Sequence, residues 1–176
     1  ADGSSQPYAP AGLAPWVVIE RNGIRVGLIG LSTTETPQTT LGRHVADLRF
    51  EDPVDTLRAE LPKLREAGAE IVIVIGHLKG ECSNVERKTL GADCVPDGEV
   101  ARLLTELPEG SFDVLVVGHG HTFFAHRLGR SFVVEAGSRG TALSRLELVL
   151  GPQGVDLDAS VVQEPWVLEH DAVDPG

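Results

Sequence analysis

Two apolar runs in this chain end in the same way, and few folds satisfy both. The first is Ile71-Val72-Ile73-Val74-Ile75, followed by Gly76-His77. The second is Val114-Leu115-Val116-Val117, followed by Gly118-His119-Gly120-His121-Thr122. Short runs of this kind, without polar alternation, predict strands buried on both faces, as in parallel sheets covered by helices. Open α/β sheets bind ligands beyond the carboxyl ends of their strands, and both runs place histidine there. Alternate side chains of extended backbone share a side, so His119 and His121 are expected to aim at one point. If the two strands are neighbours, His77 joins them. Each preceding glycine is expected to remove a side chain where backbone approaches a ligand. Imidazoles converging on one point make a candidate metal site. The competing reading of Gly-His-Gly-His is a polar loop with both histidines in solvent. The repeated plan at His77 favours convergence.

The remaining segments arrange themselves around these strands. Trp16 to Glu20 predicts a strand, Asn22-Gly23 a tight hairpin turn, and Ile24 to Leu31 the return strand. Gly27 and Gly30 do not have dinucleotide-fingerprint spacing, so close packing of neighbouring backbone is expected at both. Ser32 to Pro37 could line a phosphate-binding mouth, but its hydroxyls fit a loop with local side-chain-to-backbone bonds better. His44 falls in a stretch without periodicity and is expected at the surface. Asp52-Pro53 predicts a helix start, with Val54, Leu57, Leu61 and Leu64 as its apolar face. Pro62 is expected to kink or split that helix, and Gly68 to stop it.

A polar connection over residues 78–96 holds both cysteines, Cys82 and Cys94. Asp97 is expected to cap a second helix bearing Val100, Leu103, Leu104 and Leu107. After His121 the pattern predicts antiparallel strands at 122–128 and 131–136. An alternating pair comes next, at 143–150 and 155–161, with Val155, Leu157, Ala159 and Val161 on one face. His126 and His170 have no assigned role.

Composition narrows the partners. No apolar run approaches the ~20 residues that a membrane helix needs. A net charge of −11 argues against nucleic acid, whose partners usually present a basic face. A phosphate substrate stays open if a metal supplies local positive charge. The chain contains no methionine, so it is expected to be a processed product or part of something longer.

The order of these pieces is a hairpin carrying Val-Gly-Leu-Ile-Gly-Leu-Ser-Thr, a helix, strand-Gly-His, strand-Gly-His-Gly-His-Thr, then Glu-Ala-Gly-Ser. It resembles the calcineurin-like metallophosphoesterase domain, in the branch of 5′-nucleotidases and sugar-nucleotide hydrolases. The resemblance implies an α/β fold, part of a four-layer β-sandwich of mixed sheets flanked by helices. Residues 16–162 then form the C-terminal half of that domain, 1–15 an irregular lead-in and 163–176 a linker or tail. It implies metal-dependent hydrolysis of a small phosphate ester, such as a nucleotide, with two divalent ions (zinc, manganese or similar) as cofactors. His77, His119 and His121 are the implied histidine ligands.

The family's first-half motifs, Asp-x-His, Gly-Asp and Gly-Asn-His-Glu, do not occur here, and no carboxylate stands beside the three histidines in sequence. No catalytic residue is therefore assigned in this chain. The expected partner is the N-terminal half of the same precursor, present as a second chain. One alternative is a non-catalytic fragment or degenerate relative, and another is a thiosulfohydrolase-like relative. A Cys82–Cys94 bridge would close a loop of a size worth ~3 kcal/mol of unfolded-state entropy. It would imply an oxidising compartment, periplasmic or secreted. The other use of the cysteines, a metal site shared with His77, conflicts with the role already implied for His77.

Overall fold

The structure, a computed structural model, describes residue 8, residues 10–78, residue 80 and residues 98–168. Cys82, Cys94, Asp97 and His170 lie outside the described residues, and with them the expected bridge and the expected aspartate cap.

β1 (Trp16–Arg21) and β2 (Ile24–Ser32) form the expected hairpin. Asn22 and Gly23 both adopt positive φ, 52° and 78°, which matches the turn to the strand twist. β3 (Ile71–Leu78), β4 (Val114–His119), β5 (Phe123–Leu128) and β6 (Ser131–Ala136) complete a six-stranded sheet in the order β1-β2-β3-β4-β6-β5. β2, β3, β4 and β6 run parallel, and β1 and β5 are antiparallel edges. The hairpin after His121 is thus present, but its second strand inserts beside β4, pairing Val114 with Phe132. Alternation within a hairpin carries no information about which strand an outside neighbour will choose.

Helices cover one face. α1 (Thr36–Thr39) is a single turn, α2 (Pro53–Glu66) the main helix and α3 (Glu99–Glu106) a shorter one. Val54, Leu57, Leu61 and Leu64 of α2 and Val100, Leu103 and Leu104 of α3 pack on Ile29, Val72, Val74, Leu115 and Val117 of the sheet. The spacing of these residues gives each helix one apolar stripe, and burying it supplies most of the helix's stability. α2 continues through Pro62 instead of splitting. Pro62 and Arg58 are both exposed, so water can replace the ladder bond that proline removes, while Leu61 and Leu64 hold the buried stripe. Gly68 ends the helix region at φ 94°. α3 is preceded by Gly98, which makes no side-chain cap.

Gly27 meets the expectation of close packing. A Cβ there would lie 2.8 Å from both Ala69 Cβ and Leu64 Cγ. Gly30 does not: among the described residues, nothing approaches within 4 Å of where its Cβ would be.

β7 (Ala142–Leu143) pairs with β10 (Trp166–Val167), and β8 (Leu146–Gly151) with β9 (Gly154–Val162). The β8–β9 hairpin lies on the sheet's other face. Leu146, Leu148, Leu150, Val155, Leu157 and Val162 pack on Ile24, Val26, Ile71, Ile73 and Phe132. The alternation expected through 155–161 breaks partway along β9. Between the pairs Glu147↔Val161 and Val149↔Asp156, Leu148 alone faces residues 157–160. This bulge turns Ser160 inward and leaves Ala159 and Val161 exposed. Asp156 stabilises it by accepting from the N–H groups of Asp158 and Ala159. Ser160 donates to the Asp156 carbonyl and accepts from Val149 N–H.

The hairpin covers only the amino-terminal half of that face. Towards the strands' carboxyl ends Ile75 is 49% exposed and Val116 36%. A hollow of about 360 Å³ opens there, with Ile73, Val116, Val134, Leu143 and Leu148 among its walls.

This packing has two testable outcomes. Gly27→Ala should destabilise the fold by about 1–3 kcal/mol through overpacking, whereas Gly30→Ala should stay within about 0.5 kcal/mol. Urea denaturation of the two variants tests the contrast.

The second concerns Asp52, which accepts from Val54 N–H and Asp55 N–H and receives Arg102 Nη1 at 2.6 Å. Burial alone would raise its carboxyl. The Arg102 hydrogen bond and the two backbone bonds together outweigh burial and hold the group below its ordinary range. Asp52→Ala should cost about 1 kcal/mol at neutral pH. Because the folded value is depressed, that contribution is complete above an ordinary aspartate value of about 3.9. It is lost as pH falls through the folded value. Wild type and variant should therefore converge in urea midpoint as acidity increases.

Candidate metal centre

β3 and β4 are parallel neighbours, registered Gly76↔Val117, His77↔Gly118 and Leu78↔His119. His77 thus stands on the sheet's open face, beyond Ile73 and Ile75, with Ser32 of β2 beside it on the other side. The two glycines before the histidines have different uses. A Cβ on Gly118 would sit 3.8 Å from His77 Nδ1, in ordinary contact, so this glycine leaves the flank of the ring bare. A Cβ on Gly76 would lie 2.6 Å from Leu78 Cγ and Cδ1. Gly76 therefore makes room for a core leucine, not for a ligand.

Strict pleating would send His119 to the helix side with Val117, away from His77. Instead His119 has φ 106° and His121 φ 56°, so the alternation that was expected to align them does not operate. The turned backbone brings His119 Nδ1 to 3.0 Å from His77 Nε2. The rings meet edge to face, with centroids 4.8 Å apart and planes at 80°. His121 is exposed, and the structure does not bring it into contact with the other two. Among the described residues, no group of three or more histidine, cysteine, aspartate or glutamate side chains is placed to hold one ion.

A carboxylate that the sequence did not suggest stands beside the pair. Glu35 Oε2 lies 3.4 Å from His119 Nε2. Glu35 belongs to the loop between β2 and α1, and that loop is built by the local bonds expected of its hydroxyls. Glu35 N–H donates to Thr33 Oγ1, and Thr36 Oγ1 donates to the Thr33 carbonyl. Thr34 fastens the loop to α3, donating from both N and Oγ1 to Glu99 Oε1 at 2.9 Å. The only sequence signal for Glu35 is that β2 ends level with His77, which requires knowing that β2 and β3 are neighbours.

The loop carrying His119 and His121 is anchored from below. Thr122 Oγ1 donates to Glu135 Oε2 at 2.7 Å, and Gly137 N–H donates to the Thr122 carbonyl. Glu135 is only 1% exposed, and its Oε1 has no partner among the described residues. A Cβ on Gly120 would come within 3.3 Å of Glu135 Oε2, so this glycine lets the loop lie close over the carboxylate. The remaining polar candidates are structural or superficial. Asp113, at the far end of β4, accepts from Val72 N–H and Arg65. His44 is exposed. His126 is 2% exposed and stacks on Phe124 at 5.6 Å.

The residues that could hold a cation are therefore His77 through Nε2 and His119 through Nδ1. Their separation suits two adjacent nitrogens about 2.1 Å from one ion, subtending roughly a right angle. Glu35 cannot complete the same set with His119, because it faces the opposite edge of that ring.

No family model matches the chain. A cell wall protein of Listeria monocytogenes is 29% identical over 137 residues, covering 76% of this chain and 17% of the relative. A probable 5′-nucleotidase of Treponema pallidum is 28% identical over 160 residues, covering 89% of this chain and 26% of the relative. A 5′-nucleotidase of Rattus norvegicus is 31% identical over 121 residues, covering 62% and 21%. The chain thus spans about a quarter or less of the length of these relatives.

Among solved structures, a putative 5′-nucleotidase from Staphylococcus aureus superposes with a TM-score of 0.64 at 22% identity, covering 89% of this chain and 31% of that one. A calcineurin-like phosphoesterase from Bacillus subtilis does so with a TM-score of 0.58 at 19% identity, covering 85% and 50%. At such identities the superpositions establish the fold, and the curated relatives supply the branch. In sequence the chain is similar to part of these 5′-nucleotidases, and its fold is shared with part of the calcineurin-like phosphoesterase structure.

Proposed function

We propose that this chain is the histidine-bearing half of a metal-dependent phosphoester hydrolase of the 5′-nucleotidase kind, with a nucleotide or similar small phosphate ester as substrate. The observation that carries the reading is the His77–His119 pair, two ring nitrogens 3.0 Å apart at the carboxyl ends of adjoining parallel strands. His77 and His119 would hold a divalent ion, zinc, manganese or similar. His121, on the same loop, would serve a second. Divalent ions bound there supply Lewis acidity towards the phosphoryl oxygens and activation of water. The work of this chain is to hold the imidazoles in place and to present an apolar floor, Ile75 and Val116, beside them.

The remaining ligands and the acid–base groups come, in this reading, from the N-terminal half of the same domain. Its sheet would cover Gly30, Ile75 and Val116, which the described residues leave open. Fold likeness alone does not separate this reading from thiosulfohydrolase chemistry. A sulfate thiohydrolase of Thermus thermophilus superposes with a TM-score of 0.61. The relatives named 5′-nucleotidase favour the phosphoester. The test is hydrolysis of nucleoside 5′-monophosphates by the whole precursor, or by this chain combined with the N-terminal half. Activity should vanish with a chelator and return with zinc or manganese. His77→Ala and His119→Ala should each lower it by at least about 100-fold, since even outer-shell changes at metal sites cost 10–100-fold. A folded whole precursor that hydrolyses no phosphate ester, with or without added metal, would overturn the reading.

We also propose that the chain works outside the cytoplasm, with Cys82 and Cys94 bridged. One relative is a cell wall protein, and secreted chains retain disulfides where cytosolic ones do not. Intact mass under non-reducing conditions, before and after alkylation, should show no free thiol. Two alkylated cysteines in protein isolated from its native compartment would refute the bridge.

A further inference from the structure

Glu35 occupies the N-cap position of α1, where a short polar side chain normally accepts from the first turn. It does not do so; no side-chain cap is formed. The carboxylate is turned instead towards His119 Nε2, 3.4 Å away, while the opposite edge of the same ring faces His77. Its backbone cannot easily be elsewhere. Glu35 N–H is held by Thr33 Oγ1, Thr33 is buried, and Thr34 is clamped twice to Glu99. A carboxylate accepts and does not donate, so the proton in this contact belongs to His119 Nε2. The Nδ1 lone pair of His119 is then left facing the space it shares with His77.

We propose that Glu35 is a positioning residue that fixes His119 as the Nε2–H tautomer and so presents Nδ1 as the electron-pair donor at the His77–His119 site. The inference rests on the metal-site reading for its purpose, but the tautomer itself does not. Donors run in one direction along the row: His77 Nε2–H to His119 Nδ1, and His119 Nε2–H to Glu35. Both side chains of the Glu35–His119 pair are partly exposed, so the contact adds little stability. What it supplies is orientation, the use to which carboxylates behind metal-ligating histidines are put.

The test uses the whole chain labelled with ¹⁵N-histidine, read by long-range ¹H–¹⁵N correlation at a pH above the imidazole range. His119 should show a protonated Nε2 and an unprotonated Nδ1. Glu35→Ala should convert it to a mixture of tautomers. Glu35→Gln, whose amide oxygen can still accept, should restore the single form. A wild-type His119 protonated on Nδ1 overturns the proposal without reference to any variant, as does a Glu35→Ala spectrum identical to wild type. Zinc titration of the same variants, each combined with the N-terminal half, tells the two readings apart. If the site binds zinc, Glu35→Ala should weaken it about 10–100-fold. If wild type binds no zinc while the tautomer pattern holds, the metal reading fails and the positioning role of Glu35 stands.

Discussion

Everything at the candidate site depends on the parallel register of β3 against β4. That register sets each histidine beside a neighbour one step out of phase, His77 opposite Gly118 and Leu78 opposite His119. In an ideal pleat the two imidazoles would then lie on opposite faces of the sheet. Only a departure from extended backbone at His119 can bring them together, and φ there is 106°. A non-glycine residue in such a conformation carries a cost of about 1–3 kcal/mol that the surroundings must offset. They do so by fixing the loop on both sides. The β4 ladder holds it before the turn. After it, Thr122 is tied to Glu135 by its hydroxyl and to Gly137 N–H by its carbonyl.

The two faces of the sheet are finished differently, and the difference points to the site. Against the helices the core is closed, with Leu57, Leu64, Leu103 and Leu115 essentially inaccessible. On the other face the β8–β9 hairpin closes only the amino-terminal half. Its bulge, stabilised by Asp156 and Ser160, leaves Ala159 and Val161 exposed. From the end of the cover the face runs along Ile73 and Ile75 directly to His77. An apolar surface of this sort stays in water only at a cost in free energy, and here it leads up to the paired imidazoles.

Much of this could be read in the sequence because it is encoded locally. The β-branched runs, the Asn22-Gly23 turn, the Asp52-Pro53 helix start and the stripes of α2 and α3 each depend on residues a few positions apart. What escaped the sequence depends on neighbours. Insertion of β6 beside β4, the reversal of facing at Ser160 and the tolerance of Pro62 on a wet helix face are decided by packing partners. At the site, the nearness of His77 and His119 was legible from the repeated strand-Gly-His plan, although for the wrong local reason. Alternation was expected to align the imidazoles, and positive φ does it instead. Glu35 was illegible because its 84-residue separation from His119 is bridged by strand order, which no local pattern records.

The His77–His119 contact also constrains where protons sit. Two neutral imidazoles can approach to 3.0 Å through their nitrogens only if one of them carries a proton in between. A cation in the same space needs both lone pairs and no proton. The positions of the rings serve either state, so little rearrangement of backbone separates them. What must change is the tautomer of one ring. Glu35 lies behind His119 and not behind His77; under the role proposed for Glu35, His119 would keep its proton on the Glu35 side, and His77 would be the ring that moves its own from Nε2 to Nδ1 when a cation binds. The flank of His77 Nδ1 is the side left bare by Gly118, so that nitrogen has room to take up the proton.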